Sequence, residues 1–299
     1  MKSALLNNIL LLVWVSLMAS SFVMSADLIP YANAITSTAL RFMLASVMMI
    51  PLLMINYPAG KKKFKATKMI YFQYSIISAF LVLFFVGLFE ALKTTSALRT
   101  SVIYTLVPLL SIFITYVALQ LKTSKVKLLG FMLGTVGAVW VLLGFNQPSS
   151  GLFLFYAGDG IFVLACVSLS IHVVLVKQWG SHVPPIQGSF YIMALGGAML
   201  VPFMLILGEL ESVAWHVTEF WNLLLYLTIF TTMMTFFLQQ YLVQKVGPNR
   251  LLAFTYLIPI LVVIPQGWPA LLQLKESASG ILITLLALYL ISKEPKAVT

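Results

Sequence analysis

The stretch FEALKTTSALRTSVIYTLVPLLS (Phe89–Ser111) breaks an oily run with Glu90, Lys93 and Arg99, restarts it, and sets Pro108 inside the restarted run. A second stretch, QYLVQKVGPNRLLAFTYLIPILV (Gln240–Val262), has the same shape. Arg250 follows Arg99 by 151 residues, and Pro259 follows Pro108 by the same interval. Leu257 and Leu261 answer Leu106 and Leu110 at that spacing, and Gly280 follows Gly130 at 150. A polar turn followed by a proline-bearing apolar segment is therefore written twice. Any reading of the chain has to explain the echo.

Composition names the solvent. Of 299 residues, 61% are hydrophobic and 9% charged, and the mean hydropathy is +1.02. Lysine, arginine, aspartate and glutamate are too few to coat a soluble domain of this length. Lipid is the expected surrounding. The single cysteine, Cys166, excludes a disulfide framework and an all-cysteine metal site. The three histidines show no metal-ligand spacing, and no GxxxxGK[ST] loop occurs, so neither a metal centre, a cofactor nor ATP-driven pumping is implied.

A bilayer core of about 30 Å asks for about 20 apolar residues per helix. The apolar runs lie near 5–25, 33–55, 69–89, 97–119, 127–146, 155–176, 186–207, 220–243, 249–269 and 278–292. The opening run could pass for a signal peptide, but the repeat needs it as a first helix, so it is read as a retained span. With the amino terminus in the cytoplasm, 14 lysines and arginines fall in cytoplasmic segments and 3 in external loops. That is a positive-inside pattern with both termini cytoplasmic. Seven of the eight acids fall outside, so the net charge of +10 is a cytoplasmic-face charge. KKKFKATK (61–68) then reads as a topology determinant against anionic lipid rather than as a nucleic-acid patch. Trp179, Trp215, Trp221 and Trp268 fall near expected helix ends, where interfacial tryptophans belong.

The 151-residue interval divides the chain into repeats at 1–147 and 148–299, each with five helices. Five is odd, so the second half enters the membrane from the opposite side. The expected fold is all-α, ten transmembrane helices in two inverted-topology repeats, with a site between the halves. Pro108 and Pro259 lack an N–H and crowd the preceding turn. They are candidate hinges, or else fixed bends.

WVSLMASSFV (Trp14–Val23), ALRFMLA (Ala39–Ala45), LKTTSALRTSVIYTLVPLLS (Leu92–Ser111) and LLGFMLGTVGAVWVLLG (Leu128–Gly144) together resemble the EamA-type transporters of the drug/metabolite transporter superfamily. The resemblance covers essentially the whole chain in order. It implies a multi-pass carrier of the bacterial inner (plasma) membrane that mostly exports amino acids, nucleosides and related metabolites. It also implies a cavity lined by helices 1, 3, 4, 6, 8 and 9.

Polar groups inside apolar segments mark the candidate substrate site, because they are costly in lipid and tend to face the bundle interior. In the eighth segment Thr228, Thr232, Thr235 and Gln239 recur at spacings of 4, 3 and 4, on one helical face that Thr231 and Gln240 widen. Ser168 and His172 lie four apart in the sixth segment, and Ser21, beside Ser20, is the repeat counterpart of His172. Tyr74 and Ser78 share a face of the third segment; Tyr104 and Tyr256 stand in the fourth and ninth. Serines and threonines serve equally as interhelical packing groups, and tyrosines as packing or interface residues. Arg41 lies about two turns into the second segment. It either snorkels, pairs with an internal acceptor, or binds an anion.

The function expected is secondary-active transport of a small polar or aromatic metabolite by alternating access, as an exporter, with protons a candidate coupling ion. The partners expected are that solute and the lipid bilayer, not nucleic acid; the chain is a monomer or a homodimer. An importer of a planar vitamin-like solute such as riboflavin is the alternative within transport. An intramembrane enzyme or a non-transporting sensor is the alternative outside it, and the isolation of His172 from any intraspan acid weighs against the enzyme.

Overall fold

The computed structural model describes residues 2–56, 67–120, 123–145, 156–180, 183–246, 248–267, 275 and 277–293. The lysine cluster at 61–65 and Trp268 lie outside the described residues, as does the side chain of Gln240. Every regular element among the described residues is helical. In order these are α1 (Lys2–Leu28), α2 (Ala34–Asn56), α3 (Lys68–Leu92), α4 (Ala97–Tyr104), α5 (Val107–Leu119), α6 (Lys125–Phe145), α7 (Ala157–Trp179) and α8 (Pro185–Leu207). Then come α9 (Thr218–Thr228), a π-helical stretch (Ile229–Met234), α10 (Thr235–Val246) and α11 (Pro248–Phe254). A 3₁₀ turn (Thr255–Leu257), α12 (Ile258–Val263), a second 3₁₀ turn (Ile264–Gln266) and α13 (Ala278–Lys293) complete the chain.

Among the described residues, eight helical spans are long and apolar enough to cross a membrane, the last being Thr218–Gln239. The ninth and tenth expected segments coincide with two shorter apolar stretches, Arg250–Gln266 and Ala278–Ile291. The outward faces are apolar: Ile55 is 75% exposed and Ile206 79%. Water would not tolerate that surface; hydrocarbon does.

Both echoing prolines sit at helix breaks. The run Ala97–Leu119 is two helices, with Pro108 in the first turn of α5 after a tight turn at Thr105–Leu106. In that turn the Thr105 and Leu106 amides donate to Val102 O and Ile103 O, each at 3.0 Å. Pro259 occupies the same place in α12, after the 3₁₀ turn Thr255–Leu257. Proline cannot donate to the preceding turn, and a 3₁₀ turn closes the gap more tightly than an α-turn. A second proline pair, Pro51 in α2 and Pro202 in α8, is also 151 residues apart.

Packing follows small residues. The helix α3 runs along α7, α2 along α8, and α6 along α13, while α1 packs on α9, α10 and α12. A Cβ built on Gly280 would stand 2.8 Å from Gly137 O, and one on Gly137 2.9 Å from Gly280 O. In lipid no hydrophobic drive pulls helices together, so such close backbone approach supplies the dispersion contact that holds them. On the other pair, a Cβ at Gly87 would meet Ala165 Cβ at 2.8 Å.

Two arginines tie helix starts across the bundle. The Arg99 guanidinium is paired with Asp159 at the head of α7, Nε to Oδ1 at 3.2 Å and a closer Nη2 contact to Oδ2. Asp159 also accepts from Thr95 Oγ1 at 2.7 Å and from the Tyr156 amide at 3.1 Å. Arg250 donates through Nη2 to Asn8 Oδ1 at 2.8 Å. Asn8 precedes Asp159 by 151 residues, as Arg99 precedes Arg250.

Candidate functional site

A cavity of about 150 Å³ lies inside the bundle. It is walled by α1, α2, α3, α4, α5, α7, the π-helical stretch, α10, α11 and the 3₁₀ turn after it. The walls come in matched pairs at the 151-residue interval. Met18 answers Leu169, Ser21 answers His172, Phe22 answers Val173, and Phe84 answers Thr235. Phe85 answers Phe236, Leu88 answers Gln239, and Tyr104 answers Thr255. Position repeats; chemistry does not. The earlier half supplies mostly ring and aliphatic surface, the later half most of the hydroxyl, amide and imidazole groups.

The aromatic wall is one connected cluster. Phe22 meets Tyr104 edge-on at 5.4 Å between centroids and Phe162 at 6.2 Å. Phe84 meets Phe85 at 5.1 Å and Tyr104 at 6.2 Å. Edge-to-face contacts of this kind fix ring orientation beyond simple burial, so this wall is shaped before any solute arrives.

At Thr231, which also lines the cavity, the backbone departs from the α-helix. Across Ile229–Met234 the helix widens to i→i+5 bonding, a geometry concentrated at functional sites. It splits the polar face expected from simple 3.6-residue spacing. Thr231, Thr235 and Gln239 line the cavity. Thr232 turns to Arg41, and Thr228 returns its hydroxyl to Leu224 O at 2.8 Å.

Arg41 does not snorkel. Its side chain is fully buried and lines the cavity. Nε donates to Thr232 Oγ1 at 2.6 Å, and Nη2 donates to Thr231 Oγ1 at 2.8 Å and Thr231 O at 3.3 Å. The guanidinium lies over the Phe85 ring, 4.4 Å from its centroid. Nη1 has no partner, and among the described residues no carboxylate pairs with Arg41.

His172 is also buried, with Nδ1 2.9 Å from Ile77 O. A carbonyl can only accept, so Nδ1 carries a proton, and in the neutral ring Nε2 is the acceptor. Ser21 and Tyr104 stand on the same cavity with it.

The other sequence candidates lie elsewhere. Ser20 donates to Leu17 O at 2.9 Å and accepts from Tyr226 at 3.0 Å, tying α1 to α9. Tyr74 packs edge-on against Tyr191 at 5.7 Å, and Ser78 donates to Tyr74 O at 2.6 Å. Ser168 donates to Leu164 O within its own helix. Tyr256 is buried beside Phe131 and Ile291, its hydroxyl donating to Phe131 O at 2.7 Å. The counterpart of Tyr104 on the cavity is Thr255, one residue earlier, and a one-residue step on a helix turns a side chain to another face. Tyr256→Phe is therefore expected to cost about 1 kcal/mol of stability, the worth of one hydrogen bond, and to leave substrate flux unchanged. Sequence reasoning passed over Trp14, Phe22, Phe84 and Phe85. Shifting the polar candidates of the later half by 151 residues finds one of these ring positions, Phe84 from Thr235.

The model of the EamA-like transporter family matches residues 5–143 and again 156–293. The chain belongs to the EamA-like transporter family. It is therefore a multi-span membrane protein of a transporter family. It is 23% identical over 247 residues to the uncharacterized transporter YyaM of Bacillus subtilis (strain 168), covering 82% of this chain and 80% of that one. It is 24% identical over 257 residues to the uncharacterized transporter YetK of the same organism, covering 84% and 76%. A crystal structure of another protein shares the fold with a TM-score of 0.64 at 18% identity, over 96% of this chain and 97% of that one.

Proposed function

We propose that this EamA-like transporter is a secondary carrier that moves a small polar or aromatic metabolite by alternating access between two inverted five-helix repeats. The observation that carries the proposal is the cavity wall, drawn in matched pairs from both halves at one sequence interval. A pseudo-symmetric site between inverted halves can be exposed to either side when the halves exchange conformations. The arginine ties support the same reading. Arg99–Asp159 and Arg250–Asn8 are counterparts, and by the lysine and arginine bias the first lies at the external end and the second at the cytoplasmic end. An exchange of conformations would open one tie while the other stays closed. Pro108 and Pro259 stand at equivalent helix breaks, where backbone rotation costs the fewest hydrogen bonds. They are the hinges of this reading. Ser21, Tyr104, His172, Thr235 and Gln239 are its substrate contacts, and His172 is its candidate proton carrier.

The direction is export across the inner membrane, with both termini cytoplasmic. The test is flux in proteoliposomes with amino acids, nucleosides, flavins and cationic dyes, with and without an imposed pH gradient. Saturable flux of one solute class supports the carrier, and its response to the gradient decides proton coupling. Absence of flux for every solute, from protein shown to be folded, would remove the reading.

A further inference from the structure

We infer that Arg41 is the anchoring point for the carboxylate of an amphipathic solute whose single-ring apolar body lies on the Phe84 and Phe85 wall. This rests on the cavity being the transport site, and it adds the substrate's charge. Arginine stays ionised in proteins. A buried cation without a counter-charge is unfavourable unless something completes it. Here the fold supplies only neutral oxygens, from Thr231 and Thr232. One terminal nitrogen, Nη1, is left buried and unpartnered on a residue that lines the cavity. Trp14, on the same cavity, leaves its indole Nε1–H unpartnered too. Both are donors that cannot accept. Their complement is an acceptor-only group.

Charge and shape narrow that group. Arg41 contributes one positive charge, so a monovalent anion neutralises the site, whereas a dianion leaves a buried excess and a cation adds to the repulsion. Stacking on Phe85 holds the guanidinium plane, which favours the planar, two-pronged carboxylate. Most of the remaining surface is apolar and aromatic, and a cavity of about 150 Å³ is about the size that takes one benzene ring.

The experiment uses the full chain in detergent, in sulfate buffer at fixed ionic strength. It follows thermal unfolding and tryptophan fluorescence with phenylacetate, phenylacetamide, phenethylamine and chloride. Phenylacetate is expected to bind about tenfold tighter than the amide or more, as a charge-assisted hydrogen bond requires. Arg41→Gln is expected to bring the two within about twofold, and Arg41→Lys to keep part of the preference. Equal binding of acid and amide overturns the inference, as does a preference that survives in Arg41→Gln, or no binding by any probe. Chloride that matches phenylacetate and competes with it would make the site one for inorganic anions and overturn it as well. If Arg41→Gln does not fold, the wild-type comparison decides alone. Binding is read here without a membrane or gradient. A carboxylate-selective site without flux would therefore sink the carrier and spare this inference; flux blind to charge would do the reverse.

Discussion

Asp159→Ala is expected to lower the unfolding free energy of the detergent-solubilised protein by about 3 kcal/mol, the low end of what removing one partner of a buried ion pair costs. Asp159 is 2% exposed, and its partner Arg99 17%. The carboxylate gathers the Arg99 guanidinium, the Thr95 hydroxyl and the Tyr156 amide at one point. Removing it strips three donors at once where α4 meets α7. The low end applies because Arg99 keeps some solvent. The loss should be read by SDS titration of helicity. The double variant Arg99→Leu/Asp159→Leu is expected to be more stable than Asp159→Ala, because it leaves no stranded charge. If the losses of the single variants Arg99→Leu and Asp159→Leu simply add in the double variant, the pair is not coupled and this explanation fails. The counterpart, Arg250→Leu, breaks a bond to a neutral amide and should cost less than half as much.

The second large effect concerns Thr231 and Thr232. Their hydroxyls are the side-chain acceptors that hold Arg41 inside the bundle, at 2.8 and 2.6 Å. Each hydrogen bond to a charged group is worth about 1.5–3 kcal/mol, so Thr231→Val/Thr232→Val together should cost roughly 3–6 kcal/mol and abolish flux. Valine keeps the shape and removes only the oxygens. Adding Arg41→Met to the double variant should return most of the stability, because the buried charge goes with it, while flux stays lost. A triple variant as unstable as the double would show that the threonines hold the π-helical backbone rather than the arginine. Their own bonds to Leu227 O, both 2.9 Å, make that the competing explanation.

The spans were legible because length and hydropathy are properties of a whole segment, and lipid selects on both. The 151-residue echo was legible in Arg99 and Pro108 because prolines and intramembrane charges are rare enough to align by eye. What sequence could not show was register. A π-helical stretch at Ile229–Met234 breaks the 3.6-residue register, and Thr231 lines the cavity where Thr228 and Thr232 do not, while Thr235 and Gln239 beyond it stay on the wall. A 3₁₀ turn put Thr255 on the cavity and Tyr256 against α6 and α13. Tyr74 and Ser78 were candidates for being polar, but their partners are an aromatic neighbour and their own helix. Arg41 was visible in the sequence as a cost. Only the fold shows that the cost is left partly unmet, at Nη1.

Alternating access is tested most directly by asking which side of the membrane reaches the cavity. Cys166 is the only cysteine and is buried, so a Cys166→Ala chain carrying Val173→Cys holds a single thiol on the cavity wall. A membrane-impermeant thiol reagent is added to one face of oriented proteoliposomes, then in separate samples to the other. The account predicts labelling from both faces, with a transported solute slowing both rates. Labelling from one face only, unchanged across solutes and gradients, would contradict it and leave the cavity a dead-end pocket.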